Sequence, residues 1–163
     1  MTEAPRFEIK PATESDVPII FSFIEKLAAY ERLSHEIVAT EERLRRTLFA
    51  GRRTAEVAIA YEASQPVGFV LFFHNYSTFL ARPGLYIEDL FIEEGYRRRG
   101  YGRALLLYVA RLAKERGCGR LEWSVLDWNQ PAIDFYKKLG AVPMNEWTVF
   151  RVTGQGLDKL AGY

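Results

Sequence analysis

The chain has 163 residues, a formal net charge of +1 at pH 7 and a single cysteine, Cys118. This length suits one domain with a substantial hydrophobic core. A near-neutral charge does not favour binding to nucleic acid or to a membrane surface as the main activity. One cysteine excludes an internal disulfide and a multi-cysteine metal cluster and is typical of a reducing compartment, so we expect a cytoplasmic protein without a metal site.

The amino-terminal half alternates between strand-like and helix-like patterns. Apolar residues that alternate with polar ones predict strands, and apolar residues three or four positions apart predict helices. In chain order, these patterns predict a strand at residues 7–10, a helix from Thr13 or Ser15 to about Arg32, a helix at 40–49, and strands at 56–62 and 67–76. Asp16 is expected to return its side chain to the start of the first helix. The two strands should pair through a turn at residues 64–66.

The carboxyl-terminal half predicts three more strands and two more helices. They are a strand at residues 85–92, a helix at 101–116, a strand at 120–126, a helix at 131–139 and a strand at 147–153. Gly154-Gln155-Gly156 is expected to have no helix of useful length after it. This order predicts an α/β (α+β) fold with a mixed sheet, in which the helix at 101–116 makes a parallel crossover.

The segment Arg97-Arg98-Arg99-Gly100-Tyr101-Gly102 stands where a predicted strand passes into a predicted helix. Glycines there allow backbone N–H groups to approach a ligand, and a helix start offers unpaired donors and the positive end of its dipole. We therefore interpret the segment as a diphosphate-binding loop in preference to a solvated run of charge. The chain lacks the Gly-Lys-Ser/Thr of a P-loop and the third glycine of a dinucleotide fingerprint.

Three motifs together resemble the GNAT superfamily of acetyltransferases. They are Arg97-x-x-Gly100-x-Gly102, which matches that family's loop for the coenzyme A pyrophosphate, Glu88-Asp89 on the strand before it, and Asn129 followed by Phe135-Tyr136-x-x-x-Gly140. The resemblance implies one acetyltransferase domain over residues 1–163, with a mostly antiparallel six- to seven-stranded sheet, splayed central strands and about four helices. It also implies acetyl-CoA as the cosubstrate and no metal.

The resemblance assigns a coenzyme-binding set on the strand, the loop and the downstream motif. Its members are Leu90, Phe91, Ile92, Arg97, Arg98, Arg99, Gly100, Tyr101, Gly102, Arg103, Asn129, Ala132 and Tyr136. Asn129 is also suited to cap the helix that follows it, and the two roles are compatible.

Glu88 and Asp89 lie in an otherwise apolar strand, where an unpaired carboxylate is costly. Exposure at a bulge or a sheet edge is the simpler explanation, but the neighbouring anion-binding loop favours a functional role. Because side chains alternate along a strand, the two carboxylates should face opposite sides unless a bulge intervenes. An alkyl ammonium must lose a proton before it attacks a thioester, and we expect Glu88 to be the base that removes it.

Tyr136 shares a helix face with Ala132 and Leu139, so it could be a core aromatic residue. In the resembled family, a tyrosine in this motif protonates the departing thiolate, which makes Tyr136 the predicted general acid. His35 and His74 lie in no motif, and neither is expected to act as a base.

The resemblance narrows to the diamine acetyltransferases, that is, the spermidine/spermine and thialysine group. It extends over residues 9–13, 27–31, 85–89, 96–97, 128–131 and 135–137. It implies a homodimer and an amine site lined by Tyr30, Glu31, Glu88, Asp89 and Trp147.

Polyamine enzymes of this group carry many acids after the Tyr-Glu pair, whereas this chain has interleaved arginines. The arginines are Arg32, Arg43, Arg45 and Arg46. A tri- or tetracation would be attracted less strongly, so a shorter amine or a thialysine-like amino acid fits at least as well as spermidine.

The sequence therefore predicts an enzyme that moves acetyl from acetyl-CoA to a primary amine of a small molecule by direct attack in a ternary complex. The acceptor would be a polyamine, a diamine or a thialysine-like amino acid. One alternative is a protein N-terminal or lysine acetyltransferase, which would need an open groove. Another is a non-catalytic coenzyme A-binding regulatory module, which the presence of Glu88 and Tyr136 disfavours.

Overall fold

The computed structural model describes residues 6–163, which pack as two compact units, residues 6–124 and residues 125–163. In chain order the first unit contains β1 (Phe7–Pro11), α1 (Val17–Tyr30), α2 (Glu41–Leu48), β2 (Glu56–Glu62), β3 (Gln65–Ser77), β4 (Arg82–Ile92), α3 (Tyr101–Glu115) and β5 (Leu121–Trp123). The second unit contains α4 (Gln130–Lys138) and α5 (Gly154–Ala161).

Local hydrogen bonds fix where the first two helices begin. The Asp16 carboxylate accepts a bond from the backbone N–H of Thr13 at 2.7 Å, as the sequence predicts. A short 3₁₀ turn then leads into α1, and Pro18 is tolerated because it lies in the first helical turn. The Thr40 hydroxyl accepts a backbone N–H of α2 at 3.2 Å, which caps that helix.

The five strands form one mixed sheet in the order β1-β2-β3-β4-β5. Neighbours from β1 to β4 are antiparallel, whereas β5 runs parallel to β4 after the α3 crossover that the sequence predicts. The parallel ladder contains three residue pairs and ends where Ile87 faces Trp123. Within residues 6–124, the rest of β4 has no strand on its β5 side. The sheet therefore opens at the end of β4.

The core lies between α1 and the middle of the sheet. Ile20 and Phe23 of α1 are almost completely buried against Ile59 of β2 and Phe69 of β3. The Phe23 and Phe69 rings stack with 5.5 Å between their centroids. Phe91, near the end of β4, belongs to the same cluster. Burial of such side chains is the main stabilising term, and it holds α1 and the end of β4 at fixed positions.

β3 and β4 approach each other closely at Gly68. An added Cβ there would lie 2.5 Å from the carbonyl oxygen of Phe91 and 2.5 Å from Cδ1 of Ile92. A side chain at this position would push the two strands apart. The glycine therefore allows the end of β4 to seat in the sheet.

Two sequence predictions in the second unit are wrong. Residues 147–153 form neither a helix nor a strand, and Gly154-Gln155-Gly156 opens the helix α5. A strand needs a hydrogen-bonded neighbour, which β propensity alone does not supply. The cues for α5 are Leu157 and Leu160 at helical spacing, and Gly162, which follows the helix in a left-handed conformation (φ 81°).

The sheet accordingly has five strands instead of six to seven, and residues 6–163 form five α-helices instead of about four. The other predicted elements are confirmed with shifted ends. β3 begins at Gln65, so the β2–β3 turn consists of Ala63 and Ser64, both at positive φ, and not of residues 64–66. β5 is shorter than predicted because its parallel ladder stops after three pairs.

Candidate functional site

A β-bulge at Glu88 interrupts β4 directly after its pairing with β5 ends. Across β3, Leu71 pairs with Asp89 and Phe72 pairs with Ile87, so Glu88 is the extra residue. Glu88 is exposed and Asp89 is partly buried. The bulge breaks the alternation of side chains and turns the Glu88 carboxylate outward. Beyond it, the backbone of β4 faces no strand on its β5 side within the first unit.

Three carboxyl groups interact near this bulge. Burial, and then the nearby charges of Glu88 and Glu31, raise the pKa of the Asp89 carboxyl to about 6. Burial also raises the pKa of the Glu31 carboxyl at the end of α1. A cation relieves the repulsion between like charges, so this cluster favours an ammonium ion over an anionic ligand.

The loop between β4 and α3 has a backbone suited to an anion. Arg98 and Gly100 adopt left-handed conformations, with φ of 63° and 84°. Apart from the residues next to it in the chain, no described residue crowds the place where a Cβ of Gly100 would stand. α3 begins at the next residue, so its first N–H groups have no partner within the helix. The loop therefore offers unpaired donors at an open, positive helix end.

Two of the loop arginines are held by other parts of the first unit. The Nε of Arg97 donates to the Ile92 carbonyl at 3.0 Å, and its guanidinium lies 4.6 Å from the centroid of the Tyr30 ring. Arg99 donates to the Glu62 carboxylate at 3.1 Å. These side chains stabilise the loop, and the Glu62 carboxylate offsets the charge of Arg99.

The other two arginines of the loop, Arg98 and Arg103, are exposed. Neither forms an ion pair with any residue from 6 to 163. Arg103 also lines a cavity of about 360 Å³ between β1 and α3, together with Tyr108 and Arg111. The four loop arginines therefore divide into two that are held by contacts within the unit and two that are exposed and outside any ion pair with the described residues.

Glu62, the last residue of β2, anchors the start of α3. Its carboxylate accepts hydrogen bonds from Arg99 and from the Tyr101 hydroxyl, and this second bond raises the pKa of the tyrosine. The Tyr101 ring stacks on Phe7, with 4.2 Å between the centroids. The side chains of Arg99 and Tyr101 therefore help to hold the start of α3 against β2.

The second unit carries the downstream motif. Asn129 is buried, and its Oδ1 accepts the backbone N–H of Ala132 at 3.4 Å, so the helix-capping role is confirmed. Tyr136 is partly buried in α4 and its ring lies 5.4 Å from that of Phe135. Trp147 is 74% exposed and lies outside the helices of this unit.

The structure brings most of the assigned residues together in the first unit. Tyr30, Glu31, Glu88 and Asp89 lie there with residues 90–92 and 97–103, while Asn129, Ala132, Tyr136 and Trp147 belong to the second unit. Sequence reasoning missed Glu62 as an anchor of the loop and Asp89 as the carboxyl with the raised pKa. No local pattern reveals a contact between residues 62 and 99, which requires the folded sheet.

Among residues 6–163, no group of three His, Cys, Asp or Glu side chains is arranged to hold a metal ion. No helix in that part of the chain combines the length and the apolar character needed to cross a membrane.

The model of the Acetyltransferase (GNAT) family matches residues 23–141. The chain belongs to the GNAT family of acetyltransferases. It is an acetyl-transferring enzyme, and the family resemblance of its motifs is confirmed.

Named relatives match along nearly the whole chain. L-ornithine N5-acetyltransferase NATA1 of Arabidopsis thaliana is 39% identical over 93% of this chain and 88% of its own length. Thialysine N-epsilon-acetyltransferase of Bos taurus is 36% identical over 94% and 96%. An integron cassette protein from the mobile metagenome of V. cholerae superposes with a TM-score of 0.81 at 28% identity, covering 96% of this chain and 98% of that one.

Asp89→Asn should make the protein more stable at neutral pH. The pKa of the Asp89 carboxyl is about 6 in the folded chain, above that of an unfolded aspartate, so the native state holds the extra proton between the two values. Stability of the parent therefore falls as the pH rises through that window. We expect the free energy of unfolding of the variant to exceed that of the parent by roughly 1–3 kcal/mol at about pH 8, and to differ little from it at about pH 4.

Urea unfolding at the two pH values measures this difference. Glu25→Gln, which removes an exposed acid from α1, is the matched control and should change stability by less than about 0.5 kcal/mol at both values. A stability gain for Asp89→Asn that is equal at both pH values would contradict the linkage.

Proposed function

We propose that this enzyme transfers acetyl from acetyl-CoA to a primary amine of a small molecule. The observation that carries the proposal is the presence, in one compact unit, of a cation-favouring carboxyl cluster at the β4 bulge and an anion-favouring loop at the start of α3. The two features lie a few residues apart along the chain. Two relatives are named as acetyltransferases of ornithine and of thialysine, and these names support an acceptor that carries an ammonium group.

The residues present fit the coenzyme. Backbone N–H groups of residues 98–103 would bind the pyrophosphate, with charge from Arg98 and Arg103. The unpaired side of β4 at residues 90–92 would hydrogen-bond the pantetheine arm, with further contacts from Asn129, Ala132 and Tyr136 in the second unit. Bound acetyl-CoA supplies the thioester that the amine attacks. The backbone groups of Arg97, Arg99 and Tyr101 complete the loop.

The amine site would use Tyr30, Glu31, Glu88 and Asp89, together with Trp147. Three of these are acids whose interaction favours one ammonium ion close to the bulge. Exposed Arg32 and Arg43, in the segment after Glu31, disfavour a long polycation. An amino acid or short diamine with a terminal amine therefore fits this chain better than spermidine.

The chemistry requires a free amine. An alkyl amine is neutral in only about one molecule in 10³ at pH 7, which amounts to roughly 4–5 kcal/mol. Glu88 accepts the ammonium proton, directly or through water, and the amine nitrogen then attacks the thioester carbonyl carbon. The new C–N bond forms as the C–S bond breaks, and the Tyr136 hydroxyl gives a proton to the departing thiolate. No covalent acyl-enzyme is needed.

We also propose that each chain forms one catalytic domain and that the enzyme is a cytoplasmic homodimer. A single cysteine suits a reducing compartment. Large apolar side chains that are mostly exposed in the second unit, such as Trp147 and Phe150, support association with a second copy.

A panel of amines assayed for thiol release from acetyl-CoA tests the proposed function. We expect the highest kcat/KM for ornithine, thialysine or a short diamine, and a lower value for spermine, because the acid cluster accommodates one ammonium and arginines follow it. Lysine-containing and N-terminal peptides serve as the comparison. Preferential acetylation of a peptide would contradict a small-molecule acceptor.

Tyr136→Phe should lower turnover while it preserves coenzyme binding, because only the phenolic proton is removed. General-acid catalysis is worth about 10²- to 10⁴-fold, so we expect kcat to fall within that range. Calorimetry with acetyl-CoA provides the control for binding. Activity within about twofold of the parent would make Tyr136 a packing residue beside Phe135.

Glu88→Gln should depress kcat/KM most on the acidic side of the pH profile. High pH should restore part of the rate, since the free amine then accumulates without a base. Asp89→Asn, measured with the same amine, should affect acceptor KM more than kcat. A profile for Glu88→Gln that matches the parent at every pH would assign the deprotonation to solvent.

A further inference from the structure

The Arg97 side chain joins its own loop to two other segments of the first unit, the end of α1 and the end of β4. Its guanidinium lies 4.6 Å from the Tyr30 ring centroid and 5.6 Å from that of Phe91, and its Nε donates to the Ile92 carbonyl at 3.0 Å. Tyr30 is the last residue of α1, whereas the other two partners end β4. Arg97 forms no ion pair with a carboxylate of the described chain, so its charge is directed at aromatic faces.

The loop that follows Arg97 needs support from outside. Arg98 is not a glycine, yet it adopts a left-handed φ of 63°, which its own backbone preference disfavours. The side chain of Arg97 anchors the loop before this residue, and that of Arg99 anchors it afterwards through Glu62. Holding the N–H groups in place beforehand lowers the entropy cost of binding an anion.

We propose that Arg97 is a positioning residue, whose contact with Tyr30 holds the coenzyme loop in its binding conformation. Tyr30 then contributes to coenzyme affinity although it lies on the amine side of the site. The inference rests on the proposed function, because it takes the loop as the pyrophosphate site. It differs from the sequence expectation, in which the Arg97 charge serves the diphosphate itself.

A double-mutant cycle on coenzyme affinity tests this role. Calorimetry gives the Kd of acetyl-CoA, without any amine, for the parent, Tyr30→Leu, Arg97→Gln and the double variant. We expect each single change to raise Kd about three- to tenfold, the range for one cation–π contact. The double variant should be no weaker than the weaker single variant, because both changes remove the same contact.

Two controls separate positioning from loss of fold. Tyr30→Phe keeps the aromatic face and should bind acetyl-CoA within about twofold of the parent. Glu25→Gln, on the exposed side of α1, should leave Kd unchanged. If Tyr30→Leu does not fold, Arg97→Lys tests the same contact, because it keeps the charge but loses the flat guanidinium and the Nε donor; its Kd should be intermediate.

The proposal is overturned if Tyr30→Leu folds and binds acetyl-CoA like the parent, or if the two single effects multiply in the double variant. Either result would assign the Arg97 charge directly to the phosphates. Parent-like binding by Arg97→Lys would do the same. A parent that binds no acetyl-CoA would instead refute the proposed function, so the two failures are distinguishable.

Discussion

The pairing of β4 with its two neighbours is the constraint on which the site depends. On one side, β4 pairs with β3 from Arg82 to Ile92, apart from the bulge at Glu88. On the other, the parallel ladder with β5 ends at Ile87. A strand that is fully held on one side and open on the other presents backbone groups in fixed positions without covering them. The bulge at Glu88 lies where the pairing with β5 ends.

The conformation of the β4–α3 loop comes from tertiary contacts more than from local preference. Glycine explains the left-handed residue at Gly100, but Arg98 has no such freedom. The residues on either side of Arg98 fix the loop against the sheet, because Arg97 donates to Ile92 and Arg99 donates to Glu62. An arginine run can thus contain two side chains that hold the loop in place, which leaves the backbone N–H groups as the main contacts of the proposed pyrophosphate site.

Most of the fold could be predicted from the sequence because its elements are long and periodic. The exception is the region after α4, where β-prone residues 147–153 have no ladder partner and glycines begin α5. Periodicity describes one segment, whereas a strand is a property of two segments. Motif spacing along the sequence likewise singled out the loop at residues 97–102 and the acids at 88 and 89. It could not separate exposed Glu88 from desolvated Asp89, since the bulge depends on the register with β3.

Glu62 changes the electrostatic field that an incoming anion meets at a distance. Its carboxylate neutralises the charge of Arg99, whereas the neutral rings of Tyr30 and Phe91 leave the net charge of Arg97 in place. Long-range attraction sums over all charges, so a paired arginine adds almost nothing beyond its immediate surroundings. At the proposed pyrophosphate site, three of the four loop arginines would therefore contribute to long-range attraction. Diffusional steering, and the dependence of the association rate on ionic strength, would be weaker than a count of four arginines implies.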